Sequence, residues 1–136
     1  MLMSRDYKIQ ELLELEQARQ DKSHKFIASE NYVSDHVSHF VGSVFSNKYC
    51  EGYPGRRYYN GCLNFDKLEK HGNDTLRKLY GCKFSNIQPH SGANANLAVY
   101  KAFLNPGDIT LGMSLTDGGH LSHGSSANIS GQWFNP

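Results

Sequence analysis

No stretch of this chain stays apolar for long, neither sign of charge prevails, and cysteine is scarce. Fourteen lysines and arginines face 13 aspartates and glutamates, a net charge of +1, and apart from Arg56-Arg57 the cations are dispersed. That balance gives no general pull toward nucleic acid or an anionic membrane, and neither is expected as a partner. Cys50, Cys62 and Cys82 are odd in number and widely spaced, with no C-x-x-C. They argue against a disulfide framework or a zinc ribbon and for free thiols in a reducing compartment. Lys8, Glu11, Glu14 and Glu16 interrupt the N-terminus early. No window approaches the roughly 20 apolar residues that span a bilayer. A soluble, cytoplasmic protein is therefore the expectation. Repeats and low-complexity tracts are missing too.

What is present fits one domain. The 136 residues can enclose a core but hardly two ordinary ones. The hydrophobic share of 38% is low for a closed globule. Glycine, at about one residue in ten, suggests many loops.

The run Asn47-Lys48-Tyr49-Cys50-Glu51-Gly52-Tyr53-Pro54-Gly55-Arg56-Arg57-Tyr58-Tyr59 holds four tyrosines, one carboxylate and three cations in thirteen residues. It has no hydrophobic period, so packing alone does not explain it. A polar, aromatic, glycine-punctuated loop reads as a surface that handles a small charged ligand. Glu51 has two readings. Surface glutamates are mostly just solvated, but shielding by tyrosines would raise a carboxyl toward a useful acid/base range.

Around this loop the pattern is helical, then mixed. Ile9, Leu12, Leu13 and Leu15 give residues 6–21 a narrow amphipathic stripe, better suited to a partner surface than to a core of its own. Residues 26–31 read as extended or turn. Ser34 looks like an N-cap for Val37, Phe40, Val41 and Val44. A long helix is expected over residues 64–80, with Phe65, Leu68, Leu76 and Leu79 inward and Gly81 ending it. Gly72 inside it costs about 1 kcal/mol relative to alanine. Strands are expected over 83–88 and 109–113, on either side of a helix capped by Ser91 that buries Ala93, Leu97, Tyr100 and Leu104. Asn105-Pro106-Gly107-Asp108 is a turn, and 114–126 a Gly/Ser/His loop. Helices followed by strand–helix–strand is how an α/β domain begins.

Two segments carry candidate chemistry. His90-Ser91-Gly92-Ala93-Asn94-Ala95-Asn96 lies between a predicted strand and a predicted helix. Unpaired N–H groups and the positive dipole end there suit a phosphate, although an ordinary serine cap has the same spacing. In Gly118-Gly119-His120-Leu121-Ser122-His123-Gly124, the set Asp117, His120 and His123 could be read as metal ligands. An H-x-x-H pair in a glycine-rich loop is a weak signal, because loop ligands need rigid support. No metal is assigned.

Taken together, the tyrosine loop, Ile27-Ala28-Ser29-Glu30-Asn31, Gln88-Pro89-His90-Ser91-Gly92-Ala93 and the Gly-Gly-His loop resemble the serine hydroxymethyltransferase (glycine hydroxymethyltransferase) family. Its members are pyridoxal-phosphate enzymes of one-carbon metabolism. The match is colinear over residues 27–135. It implies an α/β fold, with a helical N-terminal arm of dimer-interface type over residues 1–48. Residues 49–136 would then be the incomplete start of an aminotransferase-like (fold type I) large domain. The implied reaction interconverts serine and tetrahydrofolate with glycine and 5,10-methylenetetrahydrofolate. By carry-over, Ser91, Gly92 and Ala93 bind the cofactor phosphate and His120 stacks on its pyridine ring. Glu51 handles protons near the folate, while Leu115, Gly119 and Leu121 line the folate pocket. Ser29 holds the substrate carboxylate. Tyr49 and Tyr59 reach a neighbouring subunit's site, near cofactor phosphate and substrate respectively, which implies a homodimer.

The resemblance covers roughly the first third of such an enzyme, and this chain departs from the family locally. Asn94 replaces a glutamine and Asp117 a histidine; His71, Gly72 and Thr75 stand in a helix that is better packed in the family. None of the nine lysines lies in the Thr-rich His-Lys context of the cofactor-anchoring lysine. The Asp-x-Ala-His segment for the pyridinium nitrogen and a downstream substrate-clamping arginine are missing as well. The expectation is an enzyme by family but a truncated or split form, inactive and marginally stable alone, completed by a C-terminal fragment. The alternatives are a non-catalytic binding or dimerisation module and an inactive remnant.

Overall fold

A computed structural model describes residues 6–136. The chain divides into two compact units, Met1–Tyr49 and Cys50–Pro136.

In the first unit, helix α1 (Tyr7–Asp21) starts where the Asp6 carboxylate accepts from the Lys8 and Ile9 amides, at 3.0 and 3.3 Å. Pairs one turn apart support its surface: Lys8 with Glu11, Gln10 with Glu14, and Glu16 with Arg19. Hydrogen bonds from Arg19, then Gln20, hold the Glu16 carboxyl down to about 2. The apolar stripe Ile9, Leu12, Leu13 and Leu15 stays exposed. Helix α2 (Asp35–Val41) begins as expected, with Ser34 Oγ accepting from the Val37 amide. It stops at Gly42, so Val44 does not extend its stripe. Ser43 caps a new 3-10 turn, Val44–Asn47, by accepting from the Phe45 amide.

The second unit opens with a two-stranded antiparallel hairpin, β1 (Gly52–Tyr53) and β2 (Arg56–Arg57). Pro54-Gly55 makes its turn, with Gly55 at the positive φ of 76° that such turns require. Helix α3 (Leu63–Tyr80) ends at Gly81, which adopts the left-handed conformation of a C-terminal stop. Its covered side differs from the expected one. Leu68 and Leu79 are exposed, whereas Phe65, Glu69, Gly72 and Leu76 are half-buried. A mixed polar face is covered because what lies on it is irregular chain rather than a sheet. Ser85 Oγ donates to the Asn73 carbonyl at 3.0 Å, and an added Cβ at Gly72 would lie 2.5 Å from Ile87 Cδ1. Gly72 thus leaves room for Ile87, and the helix runs through it unbroken.

Helix α4 (Gly92–Phe103) is capped by Ser91 as expected, and Leu97, Tyr100 and Leu104 are half-buried while Ala93 is exposed. The two flanking strands are not formed. Residues 83–88 have no strand partner among the described residues, and 109–113 contributes a single parallel bridge, Ile109 to Asn135. A parallel strand takes its hydrogen bonds from neighbouring strands; here the Ser85 side chain ties the first segment to α3, and backbone bonds to Asn135 hold the start of the second. Leu111 is consequently fully exposed. The architecture is therefore helix-rich with one small sheet, compatible with an α/β class.

A short helix that the sequence reading did not anticipate, α5 (Ile129–Trp133), closes the unit. Ser130, 2% exposed, accepts from the Gly124 amide and donates to Asn128 Oδ1. Phe134 is buried with its ring 5.5 Å from that of Tyr100. At Gly131 a Cβ would lie 2.3 Å from the Ser125 carbonyl oxygen, a contact with backbone that cannot swing away. Gly131→Ala is therefore expected to destabilise by about 1–3 kcal/mol despite alanine's better helix propensity. A lower urea midpoint with unchanged slope would show this; an unchanged midpoint would mean that the α5 contact is slack.

Candidate functional site

The first turn of α4 forms one end of the candidate site. Ser91 satisfies one of the orphan amides, its Oγ accepting from the Asn94 amide at 3.2 Å, while its carbonyl accepts the first intrahelical bond from Ala95 at 2.9 Å. Asn94 Oδ1 reaches back to accept from the His90 amide at 3.4 Å. The Gly92 and Ala93 amides remain at the open end of the helix. Since Ser91 Oγ accepts within the cap, its own proton is left to donate outward. Nothing lies within 4 Å of a Cβ at Gly92, so a ligand can approach the backbone. Three donors at a helix N-terminus fit a phosphate.

The second and third turns of α4 grip the histidine loop. Asn96 Nδ2 donates to Ser122 Oγ at 2.8 Å and lies 3.5 Å from His123 Nε2. Tyr100 donates its hydroxyl to the Ser122 carbonyl at 3.0 Å and stands 2.9 Å from His123 Nδ1. Ser122 is 2% exposed, and its Oγ and backbone amide lie 2.8 and 3.1 Å from His120 Nδ1. An open groove of about 280 Å³, walled by Ser91, Ala93, Tyr100, Ser122 and Ile129 among others, joins the helix end to this loop. The structure thus places Ser91, Ala93 and the support of His120 on one groove. Among the described residues no three His, Cys, Asp or Glu are grouped to hold a metal.

Leu115 lies in a 3-10 turn (Leu115–Asp117) and, like Leu121, is about half exposed. Gly119 donates to the Ser114 carbonyl at 2.8 Å and has no room for a Cβ, which would fall 2.0 Å from the Met113 oxygen.

Glu51 and Tyr59 sit on a loop fastened by a residue that the sequence reading noted only as a cation. Arg57, its side chain 5% exposed, donates Nε to Asp66 and Nη2 to Glu69, each at 2.7 Å. Its Nη1 donates to the Cys50 and Gly52 carbonyls at 2.7 and 2.8 Å. Gly55 donates to the second Asp66 oxygen, and Gln88 Nε2 bridges the Gly52 carbonyl and Glu69. Burial opposes the Arg57 charge, but bonds to Asp66 and Glu69 outweigh it and hold the guanidinium above its ordinary value. Arg57, then Gly55, likewise hold the Asp66 carboxyl below the usual carboxylate range. The clamp ties the tyrosine loop to α3 and to the residues just before the phosphate end. Nothing in the local sequence marks Arg57 over Arg56, because its partners lie nine and twelve residues away.

Glu51 itself is exposed, and so are Tyr53, Tyr58 and Tyr59, so the tyrosines do not shield the carboxylate as expected. A two-residue hairpin turn is too small to fold aromatic rings over it. Ser29 and Tyr49 belong to the first unit, where both are exposed.

A family model described as serine hydroxymethyltransferase matches residues 2–135. The chain is 54% identical over 130 residues to a probable serine hydroxymethyltransferase of Rickettsia bellii, covering 96% of this chain and 31% of the relative. Serine hydroxymethyltransferases of Rickettsia massiliae and Rickettsia canadensis are each 52% identical over the same share. The chain therefore spans about a third (31%) of the length of the curated relatives it matches.

The clamp makes two predictions. Arg57→Ala should abolish hydrogen-exchange protection of the Tyr58 and Gly55 amides, which bond Glu51 and Asp66, while the α4 amide of Ala95 keeps its own. Arg57→Lys should not rescue it, since an ammonium cannot reproduce the four-point fork. Equal protection in wild type and variant would show that the loop is ordered otherwise. Because the folded Asp66 pKa is depressed, its stabilising contribution is present above the ordinary aspartate value of about 4. It is lost as pH falls through the depressed value. Arg57→Ala should flatten the stability–pH curve in that acid window, and an unchanged curve would remove Asp66 from the account.

Proposed function

Because the chain belongs to the serine hydroxymethyltransferase family, we propose that its residues serve hydroxymethyl transfer between serine and tetrahydrofolate. Glycine and 5,10-methylenetetrahydrofolate are the products. The observation that carries this reading is the α4 N-terminus, capped by Ser91, where Ser91 and Ala93 line the same groove as Ser122 of the His120 loop. Ser91, Gly92 and Ala93 would hold the phosphate of pyridoxal phosphate, and the His120 ring would stack on its pyridine. When bound, that cofactor supplies the electron sink for making and breaking the bond to the transferred carbon.

The chain's own residues do the remaining work. Glu51, on the loop fixed by Arg57, moves a proton between the hydroxymethyl oxygen and the folate. Its exposure here means that desolvation has to come from bound substrate or from a partner. Ser29 orients the substrate carboxylate. Leu115 and Leu121 offer half-exposed apolar surface for the folate, and the tight Gly119 turn sets their spacing. Tyr49 and Tyr59 would act in a partner's site across a homodimer, with residues 1–48 as the dimer arm, in the cytoplasm.

By itself the 136-residue chain is proposed to be inactive, since none of its nine lysines has the anchoring context. Turnover would need the anchoring lysine, which has to come from outside these 136 residues. The exposed apolar residues of α1 and α2 favour a second reading, a non-catalytic dimerisation module. Co-expression with an intact homologue separates them: mixed dimers with lowered activity support the module, and recovery of turnover by a lysine-bearing fragment supports the split enzyme.

Pyridoxamine phosphate cannot condense with stray lysines, so calorimetric titration with it tests the cofactor site. Saturable binding is expected, weakened about ten- to a hundredfold in Ser91→Ala, the loss of one hydrogen bond to a charged group. His120→Ala should weaken it as well. Absence of saturable binding would refute a formed cofactor site in this chain.

A further inference from the structure

The hydrogen-bond pattern around Ser122 fixes more than the position of the loop. The backbone amide of Ser122 can only donate, so His120 Nδ1 must carry a lone pair and the ring proton must sit on Nε2. The Ser122 hydroxyl faces the same nitrogen and must donate to it too, while accepting from Asn96 Nδ2. On the other side, the Tyr100 hydroxyl lies 3.0 Å from the Ser122 carbonyl and 2.9 Å from His123 Nδ1, and with its one proton on the carbonyl it accepts from His123 Nδ1. His123 is then protonated on Nδ1, and its Nε2 accepts the second proton of Asn96 Nδ2. In this arrangement the protons of Ser122, Asn96, Tyr100 and His123 in the group each meet an acceptor, and the His120 Nε2–H is left pointing away from it.

We infer that Ser122 is a positioning residue that locks the His120 ring in its Nε2–H tautomer and in one orientation. Asn96, Tyr100 and His123 complete the lock, so His120 and His123 hold opposite tautomers. Ser122 is buried at 2% exposure, so water does not compete for its hydroxyl. The lock spends Nδ1 inside the loop and leaves the His120 ring face and its Nε2–H donor to a ligand. That consequence rests on the proposed stacking role of His120; the tautomers themselves do not.

The test is a long-range proton–nitrogen correlation spectrum of the 136-residue chain, labelled in its histidines and free of ligand, near neutral pH. His120→Asn and His123→Asn assign the two rings by loss of their signals. The expected spectrum shows His120 protonated on Nε2 alone and His123 on Nδ1 alone. Ser122→Ala keeps the backbone amide on Nδ1 but loses the hydroxyl, so a minor Nδ1–H population should shift the His120 nitrogen signals, and Ser122→Thr, which keeps the hydroxyl, should restore the wild-type pattern. The inference is overturned by matching tautomers in the two rings, by a proton on His120 Nδ1, or by an unchanged His120 signal in Ser122→Ala. Should Ser122→Ala fail to fold, the wild-type pattern alone decides between opposite and matching tautomers. With no ligand present, failure here is separate from failure of the cofactor-binding reading.

Discussion

Much of the second unit hangs on one buried guanidinium. Arg57 binds two carboxylates of α3 and two carbonyls of its own loop, leaving none of its nitrogens idle. A buried charge is tolerable only when its partners are this complete. Replacing it would leave Asp66 and Glu69 facing each other without a cation, and two inward carbonyls without donors. The clamp also explains why a loop with almost no apolar packing can hold a defined shape. Through Gln88, the same cluster reaches the segment that leads into the phosphate end of α4.

A second polar cluster does the corresponding work further on. Asn96 and Tyr100, one turn apart on α4, hold the Ser122 hydroxyl and carbonyl and the His123 ring beside it. Polar bonds carry this burden because apolar burial is meagre. Cys62 and Phe134 are the buried apolar residues among those described, while many leucines, valines and aromatics stay open to solvent. Exposed apolar faces of that extent suit surfaces that other chain covers. No helix among the described residues is long and apolar enough to cross a membrane.

Features governed by neighbours in sequence were legible in advance. Ser34 and Ser91 cap helices, and Gly81 ends one, because each acts within three or four residues of its own position. Strands at 83–88 and 109–113 were not legible, since strand formation depends on what lies alongside: a Ser85 side-chain bond ties the first to α3, and the second makes a single backbone bridge to Asn135. The covered face of α3 was misjudged because hydrophobic spacing pointed to Leu68 and Leu79, whereas Arg57 and Ile87 select Glu69 and Gly72. In the site, the motifs named Ser91, Gly92, Ala93 and His120 but not the residues that hold them. Arg57, Asn96, Tyr100 and Ser122 act over nine to 26 residues, and nothing local distinguishes them.

The central claim is that the first turn of α4 is a formed phosphate site within this chain. Amide chemical shifts test it most directly, followed while pyridoxamine phosphate is added to the nitrogen-labelled protein. The account predicts saturable shifts concentrated at Gly92 and Ala93, with Gly55 and Gly107, in turns outside the groove, unmoved. Shifts spread evenly over the surface, or none at the α4 end, would contradict it.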